Sequence, residues 1–304
     1  AQSPGVVGRM GRARRGTGEQ ALEVALMIRE QPEVTFVGTA TTVLRVGGFT
    51  LLTDPNFLHR GQRAYLGRGL WSRRRTDPAL EIAQLPALDA VVLSHLHGDH
   101  FDRVARRELD RELPIVTTPS AERKLRRWGF RAAEGLPTWR TRELHRDGST
   151  LRLTSMPGKH GPGAVDLLLP DVMGTMIDLE RDGTRRFRLY VTGDTLNRPL
   201  LAEIPQRYPD IDAMLIHLGG TRIAGVLLTM DAEQGIDLTE LVQPRLTVPI
   251  HYDDYPVFRS PLGQFLAEAR RRGLGDRIRT IRRGETLPLA PAAVTDGSRP
   301  APPA

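Results

Sequence analysis

One stretch constrains this chain more than any other: an apolar run that ends in a burst of metal-type ligands. Ala90-Val91-Val92-Leu93 is unbroken apolar sequence, the pattern of a strand covered on both faces. It leads directly into Ser94-His95-Leu96-His97-Gly98-Asp99-His100-Phe101-Asp102. Three of the chain's eight histidines and one aspartate thus fall within six residues, too dense a cluster for chance. Extended side chains alternate with period two, so His95 and His97 point the same way and suit one cation. Asp99 and His100 follow in the turn, within reach of a second cation about 3.5–4 Å away. Gly98 is expected to give that turn its freedom.

The chain has no cysteine, so disulfides, thiolate nucleophiles and sulfur-bound metals are excluded, and any metal rests on His and carboxylate. Such donors suit zinc first, with manganese and iron also compatible. At 304 residues the chain can bury a full core without staples. No apolar run reaches the roughly 18 residues of a membrane span. A thiol-free chain suits reducing and oxidising compartments alike; the cytoplasm is slightly favoured, and secretion fits if residue 1 follows a cleaved leader. The formal charge is +7, carried by 41 arginines and only two lysines, Lys124 and Lys159. The runs Arg73-Arg74-Arg75 and Arg270-Arg271-Arg272 are expected to be solvated faces rather than nucleic-acid contacts.

Residues 1–17 are Gly/Arg-rich and residues 291–304 Pro/Ala-rich, and both read as flexible ends around one hydrolase domain at 18–290. Residues 19–30 carry helical spacing in Ala21, Val24, Ala25 and Ile28. Strands are expected at 34–38, 42–46 and 49–53, with a turn at Gly47-Gly48, and again at 90–93, 115–117, 150–155, 186–192, 213–216 and 246–250. Helices are expected at 103–111, 120–128, 198–207, 231–241 and 261–272. Strands alternating with helices after a hairpin region fit an α/β four-layer αβ/βα sandwich, two packed mixed sheets flanked by helices. Two similar halves would meet at strand ends, where a metal site belongs.

Ser94 to His100 resembles the HxHxDH signature of the metallo-β-lactamase superfamily, and further motifs of that family follow in order. Asp54, ending Leu51-Leu52-Thr53-Asp54-Pro55, resembles a motif whose carboxylate supports the site by hydrogen bonds. His160 in Pro157-Gly158-Lys159-His160, Asp194 in Val191-Thr192-Gly193-Asp194 and His251 in Val248-Pro249-Ile250-His251 resemble the remaining ones. The resemblance implies two divalent metal ions, His95, His97 and His160 on one, Asp99, His100 and His251 on the other, and Asp194 between. It implies a binuclear hydrolase in which a metal-bridging hydroxide attacks an ester, lactone or phosphodiester bond, with Asp99 orienting it or relaying a proton. Softer matches are to the branch of ascorbate-6-phosphate lactonase and N-acylphosphatidylethanolamine phospholipase D, which often has an aromatic where Gly98 stands. A small-molecule or lipid-like substrate follows from that branch, and a homo-oligomer is compatible with it.

Other residues carry two readings each. His217, before Gly219-Gly220-Thr221, is a candidate pocket residue, though a lone histidine after an apolar run is more often packed locally. His59 and residues 60–75 form an insertion, either a substrate-covering loop or a plain surface excursion. Tyr252 is a candidate oxyanion donor, with core packing the commoner fate. His145, among Arg140, Arg142 and Arg146, reads as surface. Rival functions are a nucleic-acid phosphodiesterase of the same fold, for which no RNA-gripping arm is visible, an iron-dependent redox enzyme, and a non-catalytic binder. The oxygen-reducing relatives typically carry Glu in place of His97 and append a flavin domain, neither of which this chain does.

Overall fold

The computed structural model describes residues 31–163, 169–223 and 225–289. The expected helix at 19–30 and the expected flexible ends at 1–17 and 291–304 lie outside these described residues.

Period-two burial builds two sheets that share one core. The first sheet contains β1 (Glu33–Gly38), β2 (Thr41–Val46), β3 (Phe49–Thr53), β6 (Ala90–Val92), β7 (Ile115–Thr117), β8 (Ala133–Gly135) and β17 (Thr286–Pro288). Its order is β17-β1-β2-β3-β6-β7-β8. The second contains β9 (Thr141–Arg146), β10 (Ser149–Met156), β11 (Gly174–Arg181), β12 (Thr184–Val191), β13 (Ala213–His217) and β16 (Leu246–Ile250), ordered β16-β13-β12-β11-β10-β9. Leu44, Leu51 and Val92 of the first sheet meet Leu153, Ile177 and Leu189 of the second in one buried cluster. Their alternates Val43, Leu52 and Val91 face the other way.

Helices cover those outer faces. On the first sheet lie α1 (Arg103–Glu108) and α2 (Pro119–Arg127), through Ala105 and Leu125. On the second lie α3 (Glu203–Arg207), α4 (Ala232–Val242) and α5 (Leu262–Arg271), through Ile204, Ile236, Leu238 and Phe265. The result is the four-layer sandwich the sequence predicts. Each sheet runs from antiparallel to parallel pairing in the same order: β1-β2-β3 then β6 and β7, and β10-β11-β12 then β13 and β16.

Several elements differ from expectation. The helix from 103 stops at Glu108, because Leu109 turns extended (φ −69°, ψ 142°). The helix expected at 198–207 is a 3₁₀ turn, Pro199–Ala202, followed by the short α3. β9 and β11 have no counterpart in the expected list. Both belong to two-residue hairpins whose turns, Asp147-Gly148 and Asp182-Gly183, sit at positive φ like Gly47-Gly48. Asp-Gly between strands is a strong hairpin signal, because both central residues of a type I′ turn need φ above zero.

The insertion after Asp54 forms a further hairpin of β4 (Arg63–Tyr65) and β5 (Trp71–Arg73). β14 (Arg222–Ile223) and β15 (Val226–Leu227) make a second small one. Arg74 contradicts the reading of its run as a solvated face: Arg73 and Arg75 are exposed, but Arg74 is fully buried. Strand alternation turns it inward, where its Nη1 donates to the backbone and side-chain oxygens of Asn56 and its Nη2 lies 3.8 Å from buried Asp254. Asp254 also accepts from Thr39 N at 2.7 Å and from Arg283 at 3.1 Å. This network ties the start of the insertion to the loop after β16.

Candidate metal centre

Every sequence-predicted donor sits at the end of a strand, all on one edge of the sandwich, where parallel strands present their carboxyl ends. From the first sheet come Asp54, after β3, and the His95–His100 run, after β6. From the second come His160 after β10, Asp194 after β12, His217 at the end of β13 and His251 after β16. All are buried. Asp54 (φ 36°) and His251 (φ 62°) occupy left-handed backbone, a strain that non-glycine residues hold only where their surroundings enforce it.

Four histidines are oriented alike. His95 Nδ1 lies 3.0 Å from Ser94 Oγ, His100 Nδ1 3.1 Å from Asp54 Oδ2, His160 Nδ1 3.0 Å from the Leu228 carbonyl and His251 Nδ1 3.2 Å from the Leu218 carbonyl. Holding Nδ1 in this way aims each Nε2 at the centre. His97 is reversed and presents Nδ1, 3.0 Å from His95 Nε2 and 3.3 Å from His160 Nε2.

Of four donor groups among the described residues, Asp54 with His100 and His217 is one, and three meet at the centre: His95 with His97 and His160; Asp99 with His100 and His251; and His95, His100 and Asp194 joining them. Asp194 spans the two, with Oδ2 3.2 Å from His100 Nε2 and Oδ1 3.5 Å from His251 Nδ1. Asp99 Oδ2 lies 3.4 Å from His251 Nε2 and 4.0 Å from His100 Nε2.

The donors fit a metal on two counts. Corners of a tetrahedral zinc site with bonds of 2.0–2.1 Å are about 3.3 Å apart, close to the separations among His95, His97 and His160. Among the described residues, twelve buried side-chain polar atoms lack a hydrogen bond. Four of them are here, Asp99 Oδ1, His100 Nε2, Asp194 Oδ1 and His251 Nε2, while a fifth, His97 Nε2, is on the far side of that ring from the donors. Buried polar atoms are rarely left so, and a cluster of them marks a place for an ion.

Electrostatics divides the donors. Burial disfavours charge on His95, His97 and His160 and holds all three below the ordinary imidazole value, His97 at about 3. Burial alone would lower His100 and His251 too, but the carboxylates of Asp194, Asp54 and Asp99 around the first, and Asp194 and Asp99 around the second, raise both. Burial pushes Asp54 and Asp194 up, but it is outweighed by His100 and His217 at Asp54, which falls to about 2, and by His251 and His100 at Asp194, which is held well below the carboxylate range.

Asp54 is fully buried. It accepts from Ser94 N at 2.7 Å, from Ser94 Oγ at 3.0 Å and faces His217 Nε2 at 3.3 Å. His217 lies behind it, its Nδ1 3.3 Å from Thr192 Oγ1. Tyr252 is partly buried, packed against the helix-covered face of the second sheet. His59 is exposed beside Asp77 and Glu81, and His145 is exposed on β9.

Gly98 needs a different account from the one its turn suggests. Its φ is not positive; instead a Cβ there would sit 2.7 Å from both N and O of Tyr65. Its own N donates to Tyr65 O at 2.8 Å, so β4 lies directly on the ligand loop and leaves no room for a side chain. The hairpin's tip, Leu66 to Leu70, walls a cleft of about 420 Å³ with Pro170, Ile223, Val226 and Leu228, and His97 is at its floor. A small cavity of about 30 Å³ continues from it to Asp99, His160 and Asp194. Sequence reasoning offers residues 60–75 as either a substrate-covering loop or a surface excursion and names none of these apolar wall residues; the Leu-Gly-Arg-Gly-Leu tip is a turn signal, but nothing in it states what the turn covers.

Known proteins resemble this chain in sequence and in fold. A protein named UPF0173 metal-dependent hydrolase from Carboxydothermus hydrogenoformans is 28% identical over 84% of this chain and all of its own length. An uncharacterized protein of Mycobacterium tuberculosis is 26% identical over 76% of this chain, which spans 61% of that relative. Among solved structures, an isothiocyanate hydrolase from Delia radicum gut bacteria superposes with a TM-score of 0.70 at 22% identity, covering 85% of this chain and 100% of that one. A possible metal-dependent hydrolase from Veillonella parvula does so with a TM-score of 0.71 at 20% identity, covering 85% and 99%. The family model for the beta-lactamase superfamily domain matches residues 50–252, two thirds of the sequence, and the chain belongs to that superfamily.

Proposed function

We propose that this chain, a metal-dependent hydrolase of the beta-lactamase superfamily, works with two divalent cations on an ester, lactone or phosphodiester bond of a small substrate that carries an apolar group. The observation that carries this reading is the set of seven buried donors in two groups joined by Asp194, with unpartnered atoms of Asp99, His100, Asp194 and His251 among them. His95, His97 and His160 would hold one cation, Asp99, His100 and His251 the other, with Asp194 shared. Zinc suits these donors best, and manganese or iron is compatible. When bound, such a pair supplies Lewis acidity and a water acidic enough to act as a nucleophile near neutral pH.

The protein's own groups do the rest. Asp99 keeps Oδ2 on His251 and leaves Oδ1 free of hydrogen bonds, so Oδ1 is placed to take and return a proton at the leaving group. Asp54 and His217 are positioning residues: together they hold His100 in one tautomer and Ser94 against the loop. The walls Leu66, Leu70, Ile223 and Leu228 exclude water and favour an alkyl or acyl chain over a charged polymer. The sequence likeness to the lactonase and phospholipase D branch supports the same substrate class.

The test is a hydrolysis screen over p-nitrophenyl esters, alkyl lactones and bis-p-nitrophenyl phosphate, each with short and long alkyl groups. Turnover of one bond class that improves with chain length, and a raised KM in Leu228→Asp, is the expected result. Turnover that ignores chain length would remove the apolar-substrate reading, and none on any class would remove the bond assignment.

A further inference from the structure

The β4–β5 hairpin has two sides, and only one faces the apolar cleft. On its outward face Arg63 is paired directly with Arg73, and Tyr65 with Trp71. Like charges opposite each other across a strand pair destabilise it, and exposed aromatics do little for folding. Tyr65 and Trp71 are 44% and 56% exposed, two of the three large hydrophobic side chains exposed among the described residues. Their rings pack together with centroids 4.9 Å apart.

That face forms one wall of a separate cleft of about 220 Å³. The opposite wall comes from α1 and α2, where Arg106 lies 4.2 Å and Lys124 5.1 Å from the ring centre of Trp128. The floor is apolar, with Leu58, Leu96 and Phe101. Four cations therefore ring the cleft: Arg63, Arg103, Arg106 and Lys124. Among the described residues none of them forms an ion pair, although arginines elsewhere on the surface, such as Arg126 with Glu122 and Arg207 with Glu203, do. Asp102 lines the cleft as well, but both its oxygens are taken, by the amides of Phe57 and Leu58 on one side and by the first turn of α1 on the other.

We infer that this cleft is a binding site for a free amphipathic organic anion, its sulfonate-, phosphate- or carboxylate-type head among Arg63, Arg106 and Lys124 and its apolar body against Tyr65, Trp71 and Trp128. An aromatic wall with uncompensated cations matches such a ligand in both charge and shape. The site is independent of hydrolysis at the metal centre, although the ligand loop at His97 and Gly98 lies between the two.

Octanesulfonate is a suitable probe, being anionic, apolar, not hydrolysable and a weak metal ligand. Two of the three tryptophans, Trp71 and Trp128, line the cleft, whereas Trp139 stacks on Tyr208 elsewhere. Intrinsic fluorescence therefore reports occupancy, with calorimetry giving stoichiometry on the purified protein. The expected result is one saturable site per chain. Arg106→Glu/Lys124→Glu weakens it about tenfold or more, Trp71→Ala loses most of the fluorescence change, and Asp194→Asn leaves binding intact. All the cleft substitutions are on exposed side chains, and an unchanged melting temperature confirms the fold. No saturable binding, equal binding of neutral octyl glucoside, or insensitivity to the charge reversal would overturn the inference. So would loss of binding in Asp194→Asn, which would place the anion on the metal donors. Attachment to phosphatidylglycerol vesicles that octanesulfonate does not displace would overturn it in favour of a lipid surface.

Discussion

The two sheets supply the candidate site in opposite ways. The first concentrates His95, His97, Asp99 and His100 in one loop after β6, with Asp54 behind it. The second places one group at each of four strand ends, His160, Asp194, His217 and His251, up to 91 residues apart in sequence. A concentrated set depends on local geometry, so close contacts such as Gly98 against Tyr65 matter most there. A dispersed set depends on strand register, so it stands or falls with the packing of the whole second sheet.

The comparison can be broken first at Asp194, the donor common to both groups. Asp194→Ala should reduce hydrolysis to background and lower metal content at both sites, measured by elemental analysis. His160→Ala and His251→Ala should each cost the metal of one group only. Equal loss from all three would show that the two groups are not separable.

Next in size is Arg74, which links the insertion to the loop after β16. Arg74→Ala should cost about 1–3 kcal/mol, because it leaves the buried carbonyl of Asn56 without its donor while Asp254 keeps Arg283, whereas exposed Arg75→Ala should stay within about 0.5 kcal/mol in the same denaturation series.

Asp54→Asn weakens the group that orients His100 and should lower metal affinity or turnover about 10–100-fold. His217→Gln, one step further back, should do less. A smaller effect for Asp54 than for His217 would reverse the order in which the two act. Gly98→Ala should cost about 1–3 kcal/mol by driving β4 off the ligand loop. The matching substitution at Gly263, where nothing would meet the new Cβ and φ is not positive, should cost less.

The smallest and most diagnostic effect concerns pH in protein stripped of metal. His95, His97, His160 and His217 have lowered folded-state pKa values, so their unfolded forms bind protons first and stability falls as pH drops below about 6.5. His100 and His251 have raised values, so the stability they add is present below about 6.5 and is lost as pH rises through their folded values. Thermal melts in chelator should therefore peak near pH 6.5. With metal added the alkaline loss should vanish, because the cation replaces those protons. A metal-free profile that rises steadily with pH would contradict the assignment of His100 and His251.

How much of this is legible in the sequence follows the same division. The ligand loop is readable from its own spacing, because neighbours in sequence are neighbours in space. His160, Asp194 and His251 are each unremarkable alone, and only the ordered resemblance to a known family picks them out. The layers are legible from alternating strands and helices, yet β9 and β11 are not seen in periodicity, although their Asp-Gly turns mark both hairpins. For residues 60–75 the sequence leaves a covering loop and a surface excursion equally open, and it does not mark Arg74 as buried or Leu66 and Leu70 as a wall, since the burial of an arginine and the roof of a cleft are set by segments far away in the chain.

Metal stoichiometry of protein purified without chelator, read by elemental analysis alongside hydrolysis, tests the central claim most directly. The account predicts about two divalent ions per chain, and a fall in both metal and turnover in His97→Ala. Wild-type protein that remains metal-free after exposure to zinc, manganese and iron would contradict it.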